Sequence, residues 1–448
     1  MAEPASVPPT TCPSAFDAHH PPSTDLVNEC VHCGFCLATC PTYALWGEEM
    51  DSPRGRIYLM KLGLEGQVQI DPTFVQHMDN CLGCMACMTA CPSGVKYDKL
   101  IEATRAQIER NFTRTATDGI LRRMIFDIFP RPERLRRLLG PLRMYQRSGL
   151  QSLVRRSGFL KLLPSSLRAL ESLTPPAPPK EHGAALAGRV PAQGQARLRV
   201  GLLLGCVQRV FFPEVNAATV RVLSAEGCEL IIPPEQGCCG ALMIHAGEEE
   251  AALGYARRTI DVFEGAHVDA VVINAAGCGS NMKEYGYLLR DDPAYRERAE
   301  QFSSRCRDIS EVLASLEPRA PRHPIRLRVA YQDACHLQHA QGVKSQPRAV
   351  LGQIPDLKIL ETAEAALCCG SAGIYNLVRP GPAKELGERK VRNVLATAPD
   401  LVATGNPGCL LQMRSLMREG GAQVPVVHFV ELVDASIRGL ASESLLKR

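Results

Sequence analysis

After residue 196 the chain alternates between short apolar runs and longer stretches with apolar residues every three to four positions. RLRVGLLLG (197–205), CELIIPP (228–234) and VDAVVINAAG (268–277) have the pattern of strands buried on both faces. Between them lie PEVNAATVRVLSAEG (213–227) and ALMIHAGEEEAALGYARRTIDVFEG (241–265), both with helical periodicity. The second is predicted as one long amphipathic helix with its acidic residues on one face. The same order returns in IRLRVAYQDA (325–334), LKILE (357–361) and DLVATGNPG (400–408). Alternating strands and helices predict parallel sheets covered by helices. The N-terminal part differs. Ile57, Leu59, Met60, Leu62 and Leu64 within DSPRGRIYLMKLGLEG (51–66) predict a short helix or two in a mostly helical domain.

Cysteines punctuate this frame. Cys206, Cys238, Cys239 and Cys278 each lie just beyond a predicted strand. Cys335 follows Cys206 by 129 residues, Cys368 and Cys369 follow Cys238 and Cys239 by 130, and Cys409 follows Cys278 by 131. This is an internal repeat. In open parallel sheets ligands bind beyond the carboxyl ends of the strands. Each set of four thiols is therefore expected to converge on one point, as a third and a fourth metal centre. Buried structural thiols are the competing reading, because free cysteine is among the most buried residue types.

The earlier cysteines carry a sharper signal. ECVHCGFCLATCP (29–41) places Cys30, Cys33, Cys36 and Cys40 before Pro41, and NCLGCMACMTACP (80–92) places Cys81, Cys84, Cys87 and Cys91 before Pro92. C-x2-C-x2-C-x3-C-P is the two-cluster ferredoxin run, whose fourth cysteine serves the other cluster. One 4Fe-4S cluster is thus expected on Cys30, Cys33, Cys36 and Cys91, and a second on Cys81, Cys84, Cys87 and Cys40. Structural zinc is the alternative, but it usually pairs two CxxC units at wider separation or mixes in histidine. Cys12, Cys228 and Cys306 fall outside both patterns and are expected to be spare thiols.

The fold class expected is multidomain α+β: a helical two-cluster ferredoxin-like domain, then two α/β parallel-sheet cysteine-rich repeats. The expected boundaries are a disordered tail at 1–24, the ferredoxin-type domain at 25–110 and a basic helical segment at 111–173. A flexible linker at 174–196 then leads to repeats at 197–316 and 325–440.

Composition narrows the class. Nineteen cysteines in 448 residues, behind an N-terminus with neither a basic start nor an apolar stretch, argue for metal in a reducing compartment rather than disulfides. The expected location is cytoplasmic. RRSGFLK (155–161) resembles a twin-arginine export signal but lies mid-chain. Net charge is +4, yet residues 119–170 alone carry twelve Lys or Arg against Asp127 and Glu133, a balance of +10 that leaves −6 elsewhere. Apolar residues recur through this segment near helical spacing: Ile120, Leu121, Met124, Ile125, Ile128 and Phe129, then Leu135, Leu138, Leu139 and Leu142. Such a helix suits an anionic membrane surface, a partner subunit, or its own domain with a solvated face. Nucleic acid is not an expected partner, since the charge is confined and not interleaved with aromatics. No strand is followed by GxGxxG, so a dinucleotide site is not expected.

VHCGFCLATCPTY (31–43), DSPRGRIYLMK (51–61), DACHLQHAQG (333–342), CCGSAGIYNL (368–377) and GNPGC (405–409) together resemble the iron–sulfur subunits of glycolate oxidase. The likeness runs from about residue 25 to the C-terminus. It implies an oxidoreductase subunit that carries electrons. FAD-bearing partner subunits would oxidise glycolate, or D-lactate, and electrons would pass through this chain towards a respiratory acceptor, a quinone. Related lactate and glycerol-3-phosphate dehydrogenase subunits are alternatives, as is disulfide or quinone reduction at an open cluster in the repeats. The resemblance also implies a peripheral place on the inner face of the cell inner membrane. One departure stands out. The fuller cysteine-rich pattern ends in CxxC, and Asn281 and Gln412 occupy its last position here. His245 and His336 are candidate replacement ligands, or structural histidines.

Overall fold

The computed structural model describes residues 14–178, 186 and 188–447. They divide into two compact units, with the boundary between Arg114 and Thr115.

The first unit is built from helices Thr24–Asn28, Pro41–Trp46, Pro53–Leu64, Pro72–Asn80, Ala86–Ala90 and Tyr97–Asn111, with no strand among its described residues. Proline opens three of them, at Pro41, Pro53 and Pro72, where its missing N–H would have no helical partner anyway. Ser52 and Asp71 cap two, accepting from the N–H groups of Gly55 and Phe74. Met60, Met78, Leu100, Ile101 and Ile108 form the dry centre. Trp46 stays 39% exposed and is no part of it.

The disordered tail expected at 1–24 is corrected for residues 14–24. Phe16 is buried edge-on to Phe74, with ring centroids 6.1 Å apart. Asp17 accepts from Arg110 Nε at 3.0 Å and Asn111 Nδ2 at 2.9 Å. An aromatic anchor and an ion pair, both with partners far along the chain, fix this segment. Residues 1–13, Cys12 among them, lie outside the described residues. At the other end Arg114 holds Asp79 at 2.8 Å and Glu109 at 2.6 Å, which ties the chain down past residue 110.

The second unit holds two sheets. The first contains β1 (Arg189–Val190), β2 (Leu198–Leu203), β3 (Cys228–Ile231), β4 (Ala270–Ile273) and β5 (Cys306–Asp308) in the order β1-β3-β2-β4-β5. The second contains β6 (Arg328–Gln332), β7 (Lys358–Leu360), β8 (Leu401–Thr404) and β9 (Val426–His428) in the order β7-β6-β8-β9. All pairings are parallel except β1 with β3. Without β1 the sheets match strand for strand, as the cysteine repeat requires.

Two expectations are corrected here. The flexible linker at 174–196 is not free at its end. β1 pairs with Ile231 and Leu230, and the carbonyls of Gln193 and Gln195 accept from Arg319. The long helix expected at 241–265 is two helices, Ala241–Ile244 and Glu249–Glu264. Gly247, at φ 90°, turns the chain between them in a conformation open to glycine.

The repeats pack reciprocally. Helix Pro213–Ala225 of the first lies on Phe429–Ile437 of the second, and Ser345–Leu351 of the second lies on Ile309–Ser315 of the first. One apolar core runs through both, from Val200 and Leu202 to Val402 and Val427. Arg221 locks the first pairing through two bonds to Asp434, at 2.8 and 2.6 Å. The helices of the basic segment lay one face on the repeats: Ile125 packs with Ala246, Ile374 and Leu377, and Leu135 and Leu139 pack with Val210. Other apolar residues of that segment remain outside, led by Leu162 at 81% and Met144 at 71% exposure.

Candidate metal centres

None of the described cysteines forms a disulfide. In the first unit Cys30, Cys33, Cys36, Cys87 and Cys91 line one cavity. Burial raises the Cys30 thiol's pKa, and the neighbouring Cys91 and Cys33 thiols add to this. Cys87 is raised further by full burial, and the thiols of Cys84, Cys81, Cys40 and Cys36 add to this. Cys91 thus lies with the first run, while Cys40 has thiols of both runs near it, Cys36 and Cys87. The local reason is in the helices. Cys40 ends the first loop as the N-cap of Pro41–Trp46, and Cys91 ends the second as the C-cap of Ala86–Ala90. Cys40, Cys81, Cys84 and Cys87 are buried, Cys30, Cys36 and Cys91 part-buried and Cys33 exposed; crowded thiols of this kind are a donor set that a polycationic iron–sulfide core fits.

Cys81 is the exception among them. Its thiol is held below the usual range: Arg56 and Arg105 outweigh its burial, and Tyr97 Oη (3.6 Å) and Gly83 N–H (3.3 Å) donate to its sulfur. Arg56 is 1% exposed. It donates to His77 O at 2.6 Å, Asp51 Oδ1 at 3.0 Å and Thr42 Oγ1 at 3.2 Å. Burial opposes its charge, but Cys81, Tyr97, Cys40 and Asp51 hold its pKa above the ordinary range. His32, between Cys30 and Cys33, packs its ring edge-on to Tyr58 at 5.9 Å.

In the second unit the thiols of each repeat meet. Cys206 Sγ lies 3.5 Å from Cys238 Sγ, and Cys239 neighbours Cys278. Cys335 Sγ lies 3.8 Å from Cys368 Sγ, and Cys369 Sγ lies 3.5 Å from Cys409 Sγ. Cys206 and Cys335 follow β2 and β6, while Cys278 and Cys409 sit in the first turns of the helices after β4 and β8. All eight thus gather at strand carboxyl ends. Cys228 and Cys306 lie on strands, fully buried, and burial pushes their thiols up to about 11 and about 12.

The glycine after each cysteine pair has a role that the sequence did not reveal. Gly240 and Gly370 both adopt φ 84°, and a Cβ there would come within 3.1 Å of Ala252 O and 2.3 Å of Ala383 O. Both let the thiol loop pass close to the following helix. Asn281 and Gln412, at the missing cysteine positions, are used structurally: Asn281 donates to Cys239 O at 2.7 Å and Gln412 to Ala383 O at 3.1 Å. His336 Nδ1 bonds Ser280 Oγ at 2.8 Å and its ring lies edge-on to His245, 4.8 Å between centroids.

Sequence reasoning also passed over Lys390, which is 0% exposed and donates to the carbonyls of Glu364 and Ala365 at 2.8 Å each. Burial lowers its pKa, and the thiols of Cys369, Cys368 and Cys409 work the other way. A signal was present: Lys390 falls on the stripe formed by Leu386, Gly387, Val391 and Val394, the buried face of its helix.

These parts define an iron–sulfur protein of the electron-transfer class. Residues 26–95 match the 4Fe-4S dicluster domain family, and residues 200–283 and 329–414 match the cysteine-rich domain family. Residues 117–174 match the linker region of the glycolate oxidase iron-sulfur subunit. A Bacillus subtilis (strain 168) protein named "Probable glycolate oxidase iron-sulfur subunit" is 40% identical over 91% of this chain and 93% of its own. The "Glycolate oxidase iron-sulfur subunit" of Escherichia coli (strain K12) is 36% identical over 92% of this chain and 94% of its own. One subunit of the fumarate reductase (CoM/CoB) of Methanothermobacter marburgensis is 35% identical over 53% of this chain and 46% of its own. The chain belongs to the family of glycolate oxidase iron–sulfur subunits.

Proposed function

We propose that this chain is the electron-carrying subunit of a glycolate-oxidising complex, with D-lactate as a second substrate of its partners. The observation that carries the reading is the gathering of thiols in one chain: Cys30, Cys33, Cys36, Cys87 and Cys91 line one cavity, and thiols meet in each cysteine-rich repeat. Cys30, Cys33, Cys36 and Cys91 would hold one 4Fe-4S cluster, and Cys81, Cys84, Cys87 and Cys40 the other. Cys206, Cys238, Cys239 and Cys278 would hold a third, and Cys335, Cys368, Cys369 and Cys409 a fourth. Such clusters supply one-electron transfer at potentials set by local charge and hydrogen bonds. The chain's own residues set those conditions: Arg56 and Arg105 place positive charge beside Cys81, and Tyr97 and Gly83 donate to its sulfur.

Removal of hydride from a hydroxy acid suits a flavin, here FAD on partner subunits. A cavity of about 270 Å³ lined by Arg168, Ala169, Leu173, Pro380, Gln412 and Leu416 lies beside the second repeat's thiol loop. Its size suits a single substituted ring such as a quinone headgroup, at the small end of ligand sites. Catalysis of disulfide reduction in the repeats is the weaker reading, because Asn281 and Gln412 are engaged by backbone carbonyls. The test is to add glycolate anaerobically to the chain copurified with its flavoproteins. The visible iron–sulfur absorbance should bleach; absence of bleaching with both glycolate and D-lactate contradicts the proposal.

The chain would work in the cytoplasm, peripherally on the inner membrane. No helix among the described residues is long and apolar enough to cross a membrane. The exposed Leu153, Phe159 and Leu162 lie in the same segment as the exposed Arg136, Arg137 and Arg156. Arg155 does not belong in this set, since Glu171 holds it at 2.9 Å. Changing the three exposed arginines to glutamine should release the chain from anionic vesicles, by about 1 kcal/mol per charge at low salt. Unchanged co-sedimentation at both low and high salt would argue for a protein partner at this surface.

A further inference from the structure

We infer that Lys390 and Asn406 make the two cysteine-rich sites electrically inequivalent, holding the second at the higher reduction potential so that it receives a single electron from the first. This rests on the reading that both thiol sets hold iron–sulfur clusters.

The comparison between repeats is internal. Gly240 faces Ala252 O and Gly370 faces Ala383 O, which aligns helix Glu249–Glu264 with helix Pro380–Leu395. In that alignment Lys390 stands where the first repeat has Thr259. Thr259 is neutral and its hydroxyl donates to Tyr255 O at 2.8 Å and Cys238 O at 3.4 Å. Lys390 is fully buried, and its ammonium bonds the loop that leads into Cys368. Adding an electron adds negative charge, and a cation in dry surroundings favours it more than the same cation in water.

Asn406 supplies the second difference. In NPGC (406–409) and AAGC (275–278) its counterpart is Ala275. Asn406 Nδ2 donates to Cys409 Sγ at 3.6 Å, and no such side chain exists at Ala275. Hydrogen bonds to ligating sulfur are among the factors that set a cluster's potential. Its Oδ1 accepts from Gly277 N–H at 3.3 Å, next to Cys278, so one side chain touches both thiol segments. The first site has a cation of its own, Arg209, beside Cys206 and Cys238. Arg209 is partly buried and donates to Gly205 O at 2.8 Å, whereas Lys390 is fully buried, so the two sites differ in how their cations are held. Near the second site, the Asp333 carboxylate is paired with Arg348 through two bonds of 2.8 Å, and Arg348 also holds Glu361 at 2.7 Å. The step moves one electron and no proton. With clusters bound, an electron from the partner's oxidation of its substrate would leave the first site, held by Cys206, Cys238, Cys239 and Cys278, for the second, held by Cys335, Cys368, Cys369 and Cys409.

The experiment is an EPR-monitored redox titration of the anaerobic full-length chain, with Cys409→Ala used to assign the second site's signal. The second site should titrate at the higher potential. Lys390→Met and Asn406→Ala should each lower its reduction equilibrium about tenfold, which is about 59 mV for a one-electron couple. The iron content should stay unchanged, and the first site should stay unchanged in Lys390→Met and shift by less than the second in Asn406→Ala. Should Lys390→Met lose its cluster, Asn406→Ala decides alone. Variants with full iron that shift neither site, or both equally, overturn the inference, as does a lower potential for the signal that Cys409→Ala removes. Iron and sulfide confined to the dicluster domain would overturn the underlying reading as well, and the iron count reveals that outcome before any titration.

Discussion

Cys40→Ala should strip the cluster bound by Cys81, Cys84 and Cys87 and leave the one bound by Cys30, Cys33 and Cys36. The reason is geometric. Cys40 caps the helix that leaves the first run and has both Cys36 and Cys87 near it; Cys91 shares a cavity with Cys30, Cys33, Cys36 and Cys87, and the ferredoxin spacing assigns each fourth cysteine to the other cluster. Sequence proximity alone would assign Cys40 to its own run. Double variants separate the two cases. If ligation is crossed, Cys40→Ala with Cys81→Ala removes the same single cluster as Cys40→Ala. Cys40→Ala with Cys30→Ala then removes both. Uncrossed ligation predicts the opposite pattern. Iron content and low-temperature EPR of the reduced protein read the result directly.

Arg56→Met should destabilise the chain by about 3–5 kcal/mol, the usual cost of leaving one member of a buried ion pair uncompensated. Asp51 would lose its cation while remaining buried with Asn80 Nδ2, 3.1 Å away. His77 O would lose a bond of 2.6 Å, and Cys81 would lose the charge that keeps its thiol low. Less iron in the second cluster should accompany the fall in stability. Urea unfolding of the full chain, followed by circular dichroism, gives the first quantity, and iron analysis gives the second. A shift below about 1 kcal/mol with full iron would show that the arginine is not what stabilises this site.

The thiol spacing and the apolar runs made most of this arrangement legible. A run such as Cys81, Cys84, Cys87 encodes its loop through short covalent distances, and Val200, Leu202 and Leu203 encode a buried strand through an unbroken apolar run. What escaped depends on partners distant in sequence. Asp17 meets Arg110, and Arg189 and Val190 pair with Ile231 and Leu230 only once the domain has closed. Gly247 lies within an otherwise helical pattern, and its positive φ is a matter of how the chain must turn. Lys390 and Arg56 read as ordinary surface cations until the helix face that carries each is known. Their neighbours then show that each is buried beside thiols.

The most direct test is to purify the chain anaerobically, count its iron and acid-labile sulfide, and record its EPR spectrum after dithionite reduction. Four thiol sets predict a brown protein with more iron than two clusters can hold, and at least two interacting signals from the first unit. A colourless protein rich in zinc, with no signal after reduction, would contradict the account.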